Sequence, residues 1–190
     1  MFRGDESLNP DINSEVLNNN TDAFNCNYYS REKFQLAVQH FMDNGLSIIC
    51  FNIRSFTKNS DEFIGYLVNC GHPFDAIVFT ETWTKHELQS LCHIPGYQAV
   101  HNSRPERKGG GVSIFIKQDV EFDVINDLNI SNDDIEMLGL KLILDKLENK
   151  TLNLIGVYRP PSGNTDVFMS RMSNVLDNNR LTANDNCFNW

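Results

Sequence analysis

The sequence predicts a layered α/β domain in which helices cover sheets, and three observations carry that expectation. Two short apolar runs, Ser47 to Ile53 and Asp75 to Thr80, flank a segment of helical period from Asp61 to Asn69. A strand–helix–strand opening of this kind is the mark of a layered arrangement. Beyond Glu81 the apolar residues fall into strand-length runs separated by Gly, Asn, Asp and Pro turns. Composition agrees with one folded unit plus a tail: of 190 residues, 41% are hydrophobic and 22% charged, the balance of an ordinary globular domain.

Residues 1–29 are rich in Asn, Asp and Ser and follow no apolar period, so a disordered tail is expected there. From Ser30 to Asn44, Phe34, Val38 and Phe41 recur at spacings of four and three. That spacing predicts a short amphipathic helix ending at Gly45, with residues 30–45 serving as a lead-in or linker. Residues 46–190 form the domain proper. Its first strand, Ser47 to Ile53, has the length and apolarity of one buried on both faces. In the helix Asp61 to Asn69, Phe63, Ile64, Leu67 and Val68 share a side, and Gly71 and Pro73 punctuate its end. Further strands are expected at Asp75–Thr80, Tyr97–His101, Val112–Lys117, Ile135–Leu144 and Thr151–Tyr158. A helix follows from Thr165 to Leu176, capped by Asn164 or Thr165, and Asn186 to Trp190 reads as the beginning of another strand.

Lysine plus arginine number 16 against 25 aspartate plus glutamate, a net charge of −9. No bulk cationic field exists to hold a polyanion, so any contact with nucleic acid must be local or metal-assisted. The five cysteines, at 26, 50, 70, 92 and 187, contain no C-x-x-C pair, which argues against a disulfide framework or a zinc knuckle. Met1 to Pro10 lacks a basic start followed by an apolar core, and no apolar run approaches the roughly 20 residues that span a bilayer. The expectation is an intracellular protein, nuclear or cytoplasmic, without membrane contact.

Two strand ends deliver a polar residue where an apolar run breaks. Asn52 follows Ile48-Ile49-Cys50-Phe51, and Glu81 follows Ile77-Val78-Phe79-Thr80. Neighbouring strands of an open sheet place such residues side by side beyond the carboxyl edge, where ligands bind. A carboxylate beside an amide suits Mg²⁺ or Mn²⁺, hard cations that take one or two carboxylates and complete their shell with water and substrate phosphate. The bland alternative is a Glu capping a strand and an Asn starting a turn. Arg159 can clamp a phosphate or serve as an exposed turn arginine. Arg104, Arg107 and Lys108 form a local basic cluster that can touch a DNA backbone or remain a solvated loop. Gly109-Gly110-Gly111 is not a phosphate cradle, because a strand follows it and no Gly-Lys-Ser/Thr does. The glycines let a hairpin backbone turn tightly against the sheet.

Four motifs stand in order: Asn52-Ile53-Arg54-Ser55, Thr80-Glu81-Thr82-Trp83, Gly109-Gly110-Gly111-Val112-Ser113-Ile114 and Val157-Tyr158-Arg159-Pro160-Pro161-Ser162. The series, from about Ser47 to Trp190, resembles the exonuclease–endonuclease–phosphatase superfamily, and most closely the endonuclease domains of jockey-like non-LTR retrotransposons. The resemblance implies a deoxyribonuclease-like four-layer αββα sandwich, α+β in class with mixed sheets flanked by helices, of which this sequence supplies a part. It implies that Glu81 is a metal ligand, that Asn52 contacts metal and scissile phosphate, and that Tyr158 lies by the phosphate. A phenol there can donate to an oxygen that gains charge, though a strand-end Tyr packed on Pro160 and Pro161 is the structural alternative. Arg54, Arg159, Arg104, Arg107 and Lys108 become candidate DNA contacts, with DNA the partner of the complete domain.

Members of that superfamily continue into a Gly-Asp-Phe-Asn motif and later a Ser-Asp-His motif, and neither occurs in these 190 residues. The expectation is therefore a C-terminally truncated domain with little nuclease activity of its own, its first sheet only partly covered and prone to aggregation. Two rival functions stand beside the retroelement endonuclease. One is a phosphoesterase of the same superfamily acting on a lipid or inositol phosphate, and the other a non-catalytic nucleic-acid or protein interaction module.

Overall fold

The computed structural model describes residues 28–40, 45–104 and 109–180. Residues 1–27 of the expected tail over 1–29, the end of the lead-in helix around Phe41, Arg107 and Lys108, and the expected strand at Asn186 to Trp190 lie outside the described residues. The elements, in order, are α1 (Arg31–His40), β1 (Ile48–Asn52), α2 (Phe56–Cys70), β2 (Ala76–Thr80), a short 3-10 helix (His86–Leu91), β3 (Tyr97–Asn102), β4 (Val112–Lys117), β5 (Glu121–Ser131), β6 (Glu136–Asp145), β7 (Lys150–Tyr158) and α3 (Thr165–Arg180).

The strands form a four-stranded sheet in the order β1-β2-β4-β3 and a three-stranded sheet in the order β5-β6-β7. In the first, β1 runs parallel to β2, and β4 runs antiparallel to β2 and β3. The second is antiparallel throughout. Alternation along the strands assigns each side chain its layer. In β2, Ala76 and Val78 face the second sheet, where they join Val112, Ile114 and Ile116 of β4, Leu138, Leu140 and Leu142 of β6, and Leu152 and Leu154 of β7. Ile77 and Phe79 point the other way, into a cluster with Phe56 and Phe63 of α2 and Phe115 of β4. Beyond the second sheet, Met172 and Val175 of α3 cover Ile135, Met137 and Ile155. The architecture is therefore αββα: α1 and α2, the first sheet, the second sheet, then α3. The second sheet covers the inner face of β2 and β4, but Cys50 of β1, which pairs with Val78 and so shares its face, is exposed, so the first sheet is covered only in part, as expected.

Three sequence expectations require correction. Helix α2 begins at Phe56 rather than Asp61, because Phe56 is a core residue, stacked on Phe115 with centroids 5.2 Å apart and edge-on to Phe79 at 5.6 Å. Its end is as expected: Gly71 at φ 65° donates its N–H to the Val68 carbonyl at 3.1 Å. Strand β1 is buried on one face only, with Ile49 packed against α2 and Cys50 exposed on the opposite face, because the three-stranded second sheet does not extend over β1. Strand β5 has no counterpart in the expected elements. Its register with β6 shifts between Ile125 and Ile130, which breaks the period of two by which a half-buried strand is read. Asn164 caps α3, its Oδ1 accepting the N–H groups of Asp166 and Val167 at 2.9 and 3.2 Å. No helix among the described residues is long and apolar enough to cross a membrane.

Candidate active site

The parallel pairing of β1 with β2 aligns Asn52 with Thr80, and the antiparallel pairing of β2 with β4 aligns Thr80 with Val112. The ends of β1 and β2 and the start of β4 thus meet at one edge of the first sheet. Past Thr80, backbone pairing continues on both sides of the chain. On one side, the N–H groups of Ser55 and Phe56 donate to the carbonyls of Glu81 and Thr82 at 2.9 and 2.8 Å. On the other, the N–H groups of Thr82 and Trp83 donate to the carbonyls of Gly111 and Gly110 at 3.3 and 2.9 Å. Glu81 and Trp83 both take the left-handed conformation, each at φ 53°. Such a backbone costs a non-glycine residue about 1–2 kcal/mol, and it persists where neighbouring hydrogen bonds over-determine it.

Glu81 gathers the site. Its Oε1 accepts a hydrogen bond from Asn52 Nδ2 at 2.9 Å and one from the Tyr158 hydroxyl at 3.0 Å. Asn52 and Glu81 come from the first sheet and Tyr158 from the end of β7 in the second. No described residue donates to the other carboxylate oxygen. Burial, the hydrogen bond to Glu81 and the negative charges of Glu81 and Glu136 push the Tyr158 phenol up to about 12. It is therefore protonated at neutral pH and acts as a donor.

Beneath this cluster lies a charge that the sequence reading did not single out. Glu136 opens β6 and is fully buried, and in the β6–β7 register it stands opposite Tyr158. It forms an ion pair with Arg104, whose side chain is 15% exposed, and accepts the N–H of Gly111. Burial raises the Glu136 carboxyl above the usual carboxylate range, against the opposing pull of the Gly111 hydrogen bond and of Arg104. The signal for it was a lone acid inside the apolar run Ile135-Glu136-Met137-Leu138, a pattern that implies a buried partner.

The remaining candidates fall outside the cluster. Arg104 faces Glu136 instead of solvent. Arg54 is exposed at φ 46°, and its carbonyl accepts Asn59 Nδ2 at 3.0 Å. Arg159 is exposed and donates from Nη1 to the Gly163 carbonyl at 3.3 Å. The glycines 109, 110 and 111 all have positive φ, at 98°, 70° and 91°, and a Cβ on Gly111 would lie 2.5 Å from Thr82 Oγ1. Their role is a tight backbone turn against the β2 extension.

As a donor set for a cation, the site offers the Glu81 carboxylate and the Asn52 amide oxygen. Among the described residues no group of three or more His, Cys, Asp or Glu converges. Hard oxygen donors of this number fit Mg²⁺ or Mn²⁺ bound mainly through water and substrate phosphate.

By sequence, no protein-family model and no curated protein matches the chain. Solved structures do. TDP2 of D. rerio, in complex with a single-strand DNA product, superposes at a TM-score of 0.52 and 15% identity over 77% of this chain and 59% of that one. The AP endonuclease LMAP of Leishmania major does so at 0.49 and 16% over 65% of this chain. The chain spans 43% of the length of LMAP. At such identities the likeness is one of fold: the chain has the mixed α+β, deoxyribonuclease-like sandwich of endonuclease/exonuclease/phosphatase proteins.

Proposed function

We propose that this chain carries the N-terminal portion of a metal-dependent phosphodiesterase domain, which in complete form nicks DNA for a non-LTR retrotransposon of the jockey type. The observation that supports this most is the convergence of Asn52 and Tyr158 on one oxygen of Glu81. Three strand ends supply a carboxylate, an amide and a protonated phenol at one exposed edge. TDP2 of D. rerio, whose fold this chain shares, is solved with a single-strand DNA product, and that agrees with a nucleic-acid substrate. The Tyr158-Arg159-Pro160-Pro161 element favours the retroelement over a lipid or inositol phosphate substrate.

In this reading Glu81 and Asn52 hold Mg²⁺ or Mn²⁺, which when bound polarises a phosphoryl oxygen of the substrate. The Tyr158 hydroxyl donates to an oxygen that gains negative charge, which lowers the barrier where that charge develops. Arg54 and Arg159, exposed near the cluster, supply local positive charge toward a DNA backbone in an otherwise acidic chain. A nuclear or cytoplasmic location accompanies the reading.

Groups that act as one catalytic unit lose most of their effect when a member is removed. The 190-residue polypeptide, with neither Gly-Asp-Phe-Asn nor Ser-Asp-His, is expected to show no turnover above background in a Mg²⁺ plasmid-nicking assay. A polypeptide carrying those motifs in frame after Trp190 is expected to nick and leave a 3′-hydroxyl, and Glu81→Ala should abolish this. Failure of the extended polypeptide to nick refutes the phosphodiesterase reading. Robust nicking by the 190 residues alone, abolished by Glu81→Ala, refutes the requirement for the distal motifs.

A further inference from the structure

Among the described residues Glu136 is the charged side chain that is fully buried. Removing an ion from water costs several kcal/mol unless partners replace the solvent, and here they are Arg104 and the N–H of Gly111. Those partners lead directly to the site. Gly111 returns its carbonyl to Thr82 N–H, and Gly110 returns its carbonyl to Trp83 N–H. Thr82 and Trp83 are the residues that follow Glu81, so the turn held by Glu136 also fixes the left-handed backbone from which the Glu81 carboxylate projects. On its other side Glu136 is paired in register with Tyr158, the second donor to Glu81. An apolar residue in its place would fill the volume but leave Gly111 N–H buried without an acceptor.

We propose that Glu136 is a positioning residue for Glu81, acting through the Gly109–Gly111 turn, with Arg104 its counter-ion and not a contact for DNA. The proposal rests on the reading of Glu81 as the working carboxylate, but its test needs neither metal nor nuclease activity. Failure of the nicking assay and failure of this inference are therefore distinguishable.

Two paired variants separate positioning from mere stability. Glu136→Leu with Arg104→Met removes both charges together, a replacement that buried ion pairs tolerate. Glu136→Gln with Arg104→Gln also removes both charges but keeps an acceptor for Gly111 N–H. In ¹⁵N spectra the apolar pair is expected to shift the Asn52 side-chain amide and the Thr82 and Trp83 backbone amides, while the glutamine pair returns them to their parent positions. An apolar pair with parent resonances at all three overturns the proposal. Should the apolar pair fail to fold, the unaltered protein decides. If one unit holds the turn, the Gly111, Thr82 and Trp83 amides open together and show protection within about threefold of one another. A Gly111 amide that exchanges more than about 100-fold faster than the other two overturns the proposal.

Discussion

Replacing Gly111 by Ala separates two costs that the structure assigns to that position. Gly71 provides the comparison, since it also has positive φ, 65°, but a Cβ there would meet nothing within 4 Å. Gly71→Ala should therefore cost about 1 kcal/mol, the left-handed penalty less the gain from a stiffer unfolded chain. Gly111, at φ 91°, bears the same kind of penalty, and in addition its new methyl would lie 2.5 Å from Thr82 Oγ1 and 3.6 Å from the Asn102 carbonyl. Thr82 is 1% exposed, so its hydroxyl cannot swing into solvent to make room. Overpacking of that kind costs about 1–3 kcal/mol, and Gly111→Ala should exceed Gly71→Ala by that amount. Urea unfolding followed by circular dichroism measures it, as a midpoint lower by about 1 M for Gly111→Ala than for Gly71→Ala. Equal losses in the two variants, within about 0.5 kcal/mol, would refute the close approach of the turn to the β2 extension.

Two further outcomes follow from the same geometry. Phe56→Ala should cost about 3–5 kcal/mol, because Phe56 is 2% exposed and stacks on Phe115; Val68→Ala, on the open side of α2, should stay within about 0.5 kcal/mol, and equal urea midpoints for the two would contradict the observed start of α2. The Tyr97 phenol, which donates to the Phe74 carbonyl at 2.7 Å, is pushed up to about 12 by burial and by Asp75 and Asp119, and Tyr158 lies equally high. A raised folded value means that the unfolded chain releases its proton first, so this stability is whole below about pH 10 and is lost as pH rises toward 12. Denaturation at a series of alkaline pH values should show that loss, and Tyr97→Phe should flatten it; an unchanged slope sinks the assignment.

The layered α/β class was legible because periodicity reports burial. Ala76 to Thr80 and Val112 to Lys117 are central in their sheet, and both were found as apolar runs. Periodicity fails where burial is partial. Edge strand β5 exposes most of its length and carries a register shift, so neither a run nor an alternation marks it. Helix α2 begins five residues early because Phe56 obeys a tertiary contact with Phe79 and Phe115, not a local cap: Ser55 makes no capping hydrogen bond. At the site, Asn52 and Glu81 were found where apolar runs end, since a parallel pair must bring its ends together. Glu136 escaped because it lies within a run, and only the fold reveals which arginine compensates it.

The reach of Tyr158 to Glu81 is a consequence of core packing, not of the site alone. Glu81 belongs to the first sheet and Tyr158 to the second, so their 3.0 Å contact depends on how closely β7 approaches β2 and β4. Two residues before Tyr158, Gly156 faces that gap. A Cβ there would stand 2.8 Å from Val112 Cγ1 and 3.0 Å from Val78 Cγ1, tighter than carbon atoms pack. With a hydrogen in that place, the valines of β2 and β4 close directly onto the β7 backbone. Sheets packed face to face usually lie about 10 Å apart, a spacing set by interdigitated side chains. At Gly156, between Leu154 and Tyr158 in the inward row of β7, one of those side chains is absent. The glycine thus acts on the site through packing: it brings the phenol within hydrogen-bonding range of a carboxylate that the other sheet presents.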